Sequence, residues 1–229
     1  MIADSNGNLN PTVPEDLFHT TLTVVDYHAD TSGSTRDVHV LGTHTNLAAA
    51  KAFALMTLKL LGYDAEDFDE YTTRVDTAAE DWTHGDGVMV YAKAPKGQEF
   101  LVSLDTKPNT ESLPAHPLGD TLLLPEGHDH LHYVLHNRTD YNQDKSGAYQ
   151  TTEILGCYVL RDQALAAAKE ALREARLEYA QYDEREEEPE AEWPFGEDVV
   201  VHAVAQTGEN YTVAVKTVPG AHKIHGKAH

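Results

Sequence analysis

A short motif whose side chains could bind a cation or transfer a proton occurs twice in this chain, as Asp-Tyr-x-x-Asp-x-x-Gly. Its two copies are Asp26, Tyr27, Asp30 and Gly33, and Asp140, Tyr141, Asp144 and Gly147. Aspartates at alternating positions could offer oxygen ligands to calcium. The second copy fails as a helix–loop–helix calcium loop, because Lys145 stands where glycine is needed. We interpret the motif as a structural turn, in which the aspartates accept backbone N–H groups and the glycines adopt positive φ.

Three histidines alternate along the chain at His128, His130 and His132. In a strand they would share one face, and neutral imidazoles on one face could bind zinc. The first copy of the repeat has Glu15 to His19 in the equivalent region, so the array is not a property of both copies. Exposed histidines at a strand edge are the commoner explanation, and we predict neither a metal nor a cofactor.

Two tryptophans open the clearest stretch of an internal repeat, since residues 82–92 return as residues 193–203 at an offset of 111. Each tryptophan could stack on a ligand or anchor the neighbouring acidic segment to a sheet. Aromatic and titratable residues near the two motifs are the ligand-binding candidates: Tyr27, Trp82, His84, Tyr141, Trp193 and His202. The sequence contains no Gly-x-Gly-x-x-Gly, phosphate loop or Cys-x-x-Cys motif, and the catalytic residues, if any, stay unknown.

The elements around these residues follow the same order twice. Strand-like alternation precedes a helix, and a hairpin follows it, so each copy predicts a strand-strand-helix-strand-strand module. Asn46 and Asp162 are the predicted N-caps of the two helices, and Gly62 ends the first. The first helix is apolar almost all round, which predicts cover on more than one side. The fold class is α+β, with antiparallel sheets each covered by a helix and the modules related by an approximate twofold.

The repeat also divides the chain. We predict a flexible arm over 1–17, modules over 18–109 and 128–219, a proline-rich linker over 110–127 and a disordered His/Lys tail over 220–229. Leu122, Leu123 and Leu124 within the linker should dock onto the body, because a free linker would not expose three leucines.

The charge balance limits the partners. The net charge of −21 repels phosphate backbones and anionic lipid, so we expect no nucleic-acid and no membrane partner. A small molecule or a basic protein fits better. Cys157 is the single cysteine, and no apolar signal or membrane-spanning segment is recognisable, which predicts a cytoplasmic protein. The duplicated chain would act as a monomer built like a dimer, or as a homodimer.

Two functional hypotheses follow. The first is an acidic, non-catalytic binding protein, with a groove for a ligand or partner at the junction of the two modules. The second is a cofactor-independent enzyme, such as an isomerase, cyclase or lyase, that uses His, Asp and Tyr for acid–base chemistry. An enclosed pocket with converging His and Asp side chains would favour the enzyme.

Overall fold

The computed structural model describes residues 11–117, 119–186 and 193–219. The fold is α+β, with two five-stranded antiparallel sheets and two α-helices. The chain forms two compact units, Met1–His28 with Asp37–Asp129, and Ala29–Arg36 with His130–His229. The predicted tail and residues 1–10 of the predicted arm lie outside the described residues. No helix in the described ranges is long and apolar enough to cross a membrane.

The first unit consists of one sheet and its helix. Its elements in chain order are β1 (Asp16–Asp26), β2 (Arg36–His44), α1 (Leu47–Leu60), β3 (Glu70–Thr73), β4 (Val88–Lys93) and β5 (Gln98–Pro108). The strands lie in the order β2-β1-β5-β4-β3. The core joins α1 to the sheet through Ala54 and Leu58, which pack against Leu22, Val90 and Val102.

Both predicted ends of α1 are confirmed. The Asn46 side chain accepts a hydrogen bond from the backbone N–H of Ala49 at 2.8 Å, and Gly62 follows the helix with a φ of 92°. The outer side differs from the prediction, because Met56 and Leu60 are 47% and 65% exposed. The predicted cover on a second side of this helix is therefore wrong.

The second unit repeats this plan. Its elements are β6 (His132–Asp140), β7 (Gln150–Tyr158), α2 (Arg161–Glu170), β8 (Tyr179–Glu184), β9 (Val199–Ala205) and β10 (Glu209–Thr217). The strand order is β7-β6-β10-β9-β8. Ala164 and Ala168 of α2 pack against Val134, Val201 and Val213. The N-cap is Leu160 rather than the predicted Asp162, because the helix already begins at Arg161. Asp162 lies in the first turn, where a carboxylate interacts favourably with the helix dipole.

Each unit has one strand more than the predicted module. β3 and β8 lie within segments that the sequence presents as acidic connections, and each is hydrogen-bonded at the sheet edge to a single neighbour, β4 or β9. Edge strands often carry charged side chains and lack the apolar alternation that identifies interior strands. The modules are thus strand-strand-helix followed by three strands.

The predicted boundaries also need correction. β1 begins at Asp16, and Leu17 is only 1% exposed, so the end of the predicted arm belongs to the sheet. The predicted linker packs within the first unit, where Leu113 and Ala115 are 5% and 2% exposed. Leu123 of the linker, by contrast, is 39% exposed.

The segment Ala29–Arg36 belongs to the second unit, although it lies in the first half of the sequence. Arg36 Nη2 donates to the carbonyl oxygen of Ala148 at 2.6 Å, and Gln150 Nε2 donates to that of Ser34 at 2.8 Å. The first structural unit is therefore not the continuous module 18–109.

Candidate functional site

Two of the predicted ligand-binding residues meet in the first unit. The Trp82 ring lies edge-on to His84, with centroids 4.8 Å apart, and His84 stacks on Tyr91 at 3.9 Å. Trp82 Nε1 donates to the carbonyl oxygen of Gly85 at 3.0 Å. His84 Nε2 lies 3.4 Å from Thr72 Oγ1 on the edge strand. These contacts tie the loop before β4 to the sheet.

The second unit has an equivalent stack of three rings, but its histidine is the last ring of the stack instead of the middle one. Trp193 lies edge-on to Phe195 at 4.9 Å, and Phe195 stacks on His202 at 3.9 Å. His202 Nδ1 lies 3.2 Å from Asp183 Oδ2. Asp183 and His202 are register partners across β8 and β9, as Thr72 and Tyr91 are across β3 and β4. The Asp183 carboxylate orients the His202 imidazole, whereas His84 of the first unit faces the hydroxyl group of Thr72.

The two remaining ligand-binding candidates lie beside turns. Tyr27 follows β1 and is close enough to contribute to the raised pKa of Tyr91, of which burial is the main cause. Tyr141 follows β6 and is 42% exposed. A Cβ atom at Gly147 would lie 2.9 Å from Tyr141 Cε1, so this ring packs directly on the glycine.

The aspartates of the repeated motif accept hydrogen bonds within their own turns. Asp30 accepts from the backbone N–H groups of Ser32 and Ser34 at 3.0 and 3.2 Å, and Asp144 accepts from that of Ser146 at 2.8 Å. The serine hydroxyls add further bonds, and the side-chain hydrogen bonds from the serines are the main cause that lowers the pKa of both carboxyl groups. Asp26 and Asp140 likewise accept from the backbone N–H groups of His28 and Asn142, at 3.0 and 2.9 Å. Gly33 and Gly147 have φ values of 78° and 83°. That these turns have a purely structural role remains a prediction.

The three alternating histidines do not share one strand face. β6 begins at His132, so His128 and His130 precede the strand. The rings of His130 and His132 are 5.0 Å apart and roughly perpendicular, and His132 is 8% exposed. Within the described ranges, no group of three or more His, Cys, Asp or Glu side chains is placed to hold a metal ion.

The second unit also contains a cluster that the sequence analysis missed, which we call the tyrosine site. It combines residues from three strands, His136 and Arg138 of β6, Tyr179 and Tyr182 of β8, and Tyr211 of β10. His136 stacks on Tyr211 with centroids 5.6 Å apart, and Tyr179 meets Tyr211 edge-on at 5.7 Å. The Arg176 guanidinium lies 5.0 Å from the centroid of Tyr182. The result is a continuous set of rings that carry polar groups.

Arg138 is already neutralised at this site. Its Nη2 donates to Asp140 Oδ2 at 2.9 Å and to Glu209 Oε1 at 3.0 Å. The side chain also makes a hydrogen bond with Tyr211. Two carboxylates around one guanidinium leave no excess positive charge, so this arginine orients Tyr211 rather than attracting an anion.

Two buried polar atoms of the tyrosine site lack a partner. His136 Nε2 and Tyr182 Oη make no hydrogen bond with any of the described residues. Burial lowers the pKa of His136 and raises those of Tyr179 and Tyr182, so all three side chains are uncharged at neutral pH. An unpaired buried polar atom is costly, and each one calls for a physical explanation.

A concavity of about 590 Å³ opens beside these rings. Tyr179 and Tyr211 form its aromatic wall, and the segment from Ala175 to Glu178 forms another side. Leu177 in this segment is 95% exposed. The volume falls within the range of small-molecule sites.

The first unit has apolar side chains at the equivalent positions. Offsets of 111 and 114 place Leu22, Val24, Phe68 and Phe100 opposite His136, Arg138, Tyr179 and Tyr211. The register agrees, because Val24 pairs with Phe100 and Arg138 with Tyr211. Each of the four positions carries a polar group only in the second unit. A comparison of the two copies at these offsets shows from the sequence that the four positions differ in polarity, but the strand pairing is needed to show that the side chains meet.

In the first unit, other aromatic side chains fill the space beside the ring of Phe100, which is the counterpart of Tyr211. Tyr63 lies 5.5 Å from Phe100, and Phe68 lies 5.4 Å from it. Tyr63 follows α1, which has 14 residues, whereas α2 has 10. The shorter helix of the second unit ends before it could supply a ring in the same way, and the concavity lies beside Tyr211 instead.

Comparison with known proteins found no matching family model, no matching curated protein and no matching solved structure. The site is therefore interpreted from its own chemistry.

Proposed function

We propose that this protein is a binding protein, and that its ligand is a small, uncharged, planar molecule held at the tyrosine site of the second unit. One observation carries the proposal. The four positions of His136, Arg138, Tyr179 and Tyr211 carry polar groups in the second unit and apolar side chains in the first, and Tyr179 and Tyr211 line a concavity. Core packing alone does not call for these polar groups, since the first unit builds the same sheet without them.

The chemistry of the site defines the ligand class. Aromatic walls favour a flat molecule, which could stack on Tyr211 or Tyr179. The hydroxyl groups of Tyr179 and Tyr211, whose side chains line the concavity, can hydrogen-bond to such a ligand. Arg138 is neutralised by Asp140 and Glu209, which disfavours an anion. A cyclic amide or a phenol has both the required shape and the required hydrogen-bonding groups.

The test uses benzamide, phenol and indole as probes. Their binding is followed by NMR through the backbone amide signals of Ala205, Gln206 and Thr207, which line the concavity and are present in every variant. The double variant His136→Leu, Tyr211→Phe introduces the residues of the first unit and should abolish the shifts. Tyr141→Phe, at an exposed tyrosine outside the site, is the matched control. If no probe shifts these signals in the native protein, or if the double variant binds equally well, the proposal is wrong.

A second candidate function is acid–base catalysis at His202. Its Nδ1 lies 3.2 Å from Asp183 Oδ2, so an Nδ1–H would donate to the carboxylate and Nε2 would be available as a base. Turnover of a small molecule that His202→Ala and Asp183→Asn both reduce, while His84→Ala does not, would favour this candidate. Equal loss in all three variants would argue against a special role for the pair.

We also propose that the two units arose by duplication of one module. The shared strand order, the matching pairs Thr72–Tyr91 and Asp183–His202, and the repeated sequence support this origin. A groove at the junction of the modules and a cytoplasmic location remain predictions from the sequence.

A further inference from the structure

The outer face of α1 is unusually apolar for an exposed helix. Four residues spaced by four, Ala48, Ala52, Met56 and Leu60, form a row on the side away from the sheet, and we call this row the α1 outer face. Met56 and Leu60 are 47% and 65% exposed, and both alanines are exposed as well. Leu47, Leu61 and Tyr63 extend the exposed apolar surface at the two ends of the helix, at 42%, 46% and 40% exposure.

The second unit provides an internal comparison. The outer residues of α2 include Lys169 and Glu170, and both are ion-paired, with Glu184 and Arg173. The fold therefore allows charged side chains on the outer side of this helix, and α1 differs from α2 in having an apolar row there. Contiguous exposed apolar surface of this kind marks an interaction site.

We propose that the α1 outer face pairs with the same face of a second copy of this chain. The order of the side chains is self-complementary. In an antiparallel pair related by a twofold axis opposite residue 54, Met56 of one copy meets Ala52 of the other, and Leu60 meets Ala48. Every large side chain then enters the gap above a small one, which lets the helices approach closely. A twofold axis repeats each contact, as a closed dimer requires.

The distribution of charge supports the same orientation. α1 contains Lys51 and Lys59 and no acidic residue, and an acidic segment from Asp64 to Glu70 follows its end. In an antiparallel pair, the acidic segment of each copy lies towards the N-terminal end of the other helix, where the dipole is positive. A parallel pair would place the two acidic segments together.

The net charge of −21 on each copy opposes association. Salt screens this repulsion but leaves the apolar contact intact, so the dimer should become tighter as salt rises. A partner held mainly by attraction to Lys51 and Lys59 would weaken under the same conditions. The direction of the salt dependence therefore distinguishes a second copy from an acidic foreign partner.

Sedimentation equilibrium of the full chain over a range of concentrations, at low and high salt, tests the proposal. We expect a monomer–dimer equilibrium that high salt shifts towards dimer. Met56→Asp places a charge in the centre of the face and should weaken the dimer by about tenfold or more. Leu177→Asp, at a side chain of the second unit that is 95% exposed, is the matched control and should not change the equilibrium. Thermal melts of both variants confirm that the fold is intact.

Two further variants test the pairing itself. Ala52→Met should weaken the dimer, because a second large side chain would then meet Met56, whereas an unspecific apolar contact would become tighter. A mixture of Ala52→Cys and Met56→Cys proteins should form disulfide-linked dimers faster than either variant alone. A protein that stays monomeric at every concentration, a dimer insensitive to Met56→Asp, or a tighter dimer in Ala52→Met would each overturn the proposal.

Discussion

His19 shows how one side chain can make stability depend on pH. It is 1% exposed within β1, and its Nδ1 lies 2.8 Å from Thr43 Oγ1. Burial, together with the positive charge of Lys107, lowers its pKa from 6.5 to about 4. The imidazole is therefore uncharged in the native protein throughout the neutral range.

The first prediction concerns this histidine. Between pH 6.5 and 4 the unfolded chain binds a proton that the folded chain does not, so stability falls as the pH falls through this window. Between pH 7 and pH 5, His19 should contribute a loss of about 2 kcal/mol in the free energy of unfolding. His19→Tyr, which introduces the residue found at the equivalent buried position 133, should remove this contribution.

Urea unfolding at pH 7 and pH 5 measures the effect. His44 and His136 also have lowered pKa values through burial and contribute to both proteins, so the difference between native and variant isolates His19. His128→Tyr, at an exposed position, is the control for replacing a histidine by tyrosine outside the core. An identical pH dependence in His19→Tyr would refute the assignment.

At the scale of elements, the turn between β6 and β7 depends on a glycine for two reasons. Gly147 has a φ of 83°, which side chains with a Cβ atom rarely adopt, and the Tyr141 ring occupies the space where that Cβ would lie. Gly62, at the end of α1, has a φ of 92°, but no heavy atom lies within 4 Å of the place that a Cβ would occupy. Replacing Gly62 by a residue with a Cβ atom therefore causes backbone strain alone. The same replacement at Gly147 causes backbone strain and a steric clash with Tyr141.

The second prediction compares these positions. Gly62→Ala should cost about 1–2 kcal/mol in the free energy of unfolding, from backbone strain alone. Gly147→Ala should cost clearly more, because its Cβ would also displace Tyr141. In a Tyr141→Ala background the cost of Gly147→Ala should fall to that of Gly62→Ala. Denaturant melts of the four variants decide this, and equal costs in both backgrounds would show that the ring contact is unimportant.

At the scale of the whole molecule, the net charge of −21 governs which polymers can bind. A protein gains affinity for nucleic acid when its cationic side chains release counterions from the phosphates. Lys and Arg number 17 against 38 Asp and Glu, so the acidic side chains far outnumber the basic ones that could release counterions.

The third prediction is that the protein passes through heparin and DNA columns without retention, even at low salt. A variant that reverses several exposed acidic residues, such as Glu66, Asp67 and Asp69 to Lys, should likewise pass through, because the net charge stays strongly negative. Salt-sensitive retention of the native protein would show a basic binding surface and contradict the expectation drawn from charge.

The sequence determined those parts of the fold whose signals are local. Asn46 and Gly62 delimit α1 through capping and a left-handed residue, and alternation with a turn identifies the hairpin of β9 and β10. Such patterns work because neighbouring residues themselves satisfy the hydrogen bonds or share the buried face. The repeat added the order of elements, since two copies with the same pattern predict the same local structures.

Tertiary structure alone decided the edge strands and the tyrosine site. Tyr179–Glu184 becomes a strand because β9 supplies its hydrogen-bond partners, which its acidic sequence does not indicate. The tyrosine site joins His136 to Tyr211, residues that only the pairing of β6 with β10 brings side by side. Exposure of the α1 outer face is likewise a property of the packed chain. A sequence states which side chains are available, but long-range strand pairing determines which of them meet and which remain open to a partner.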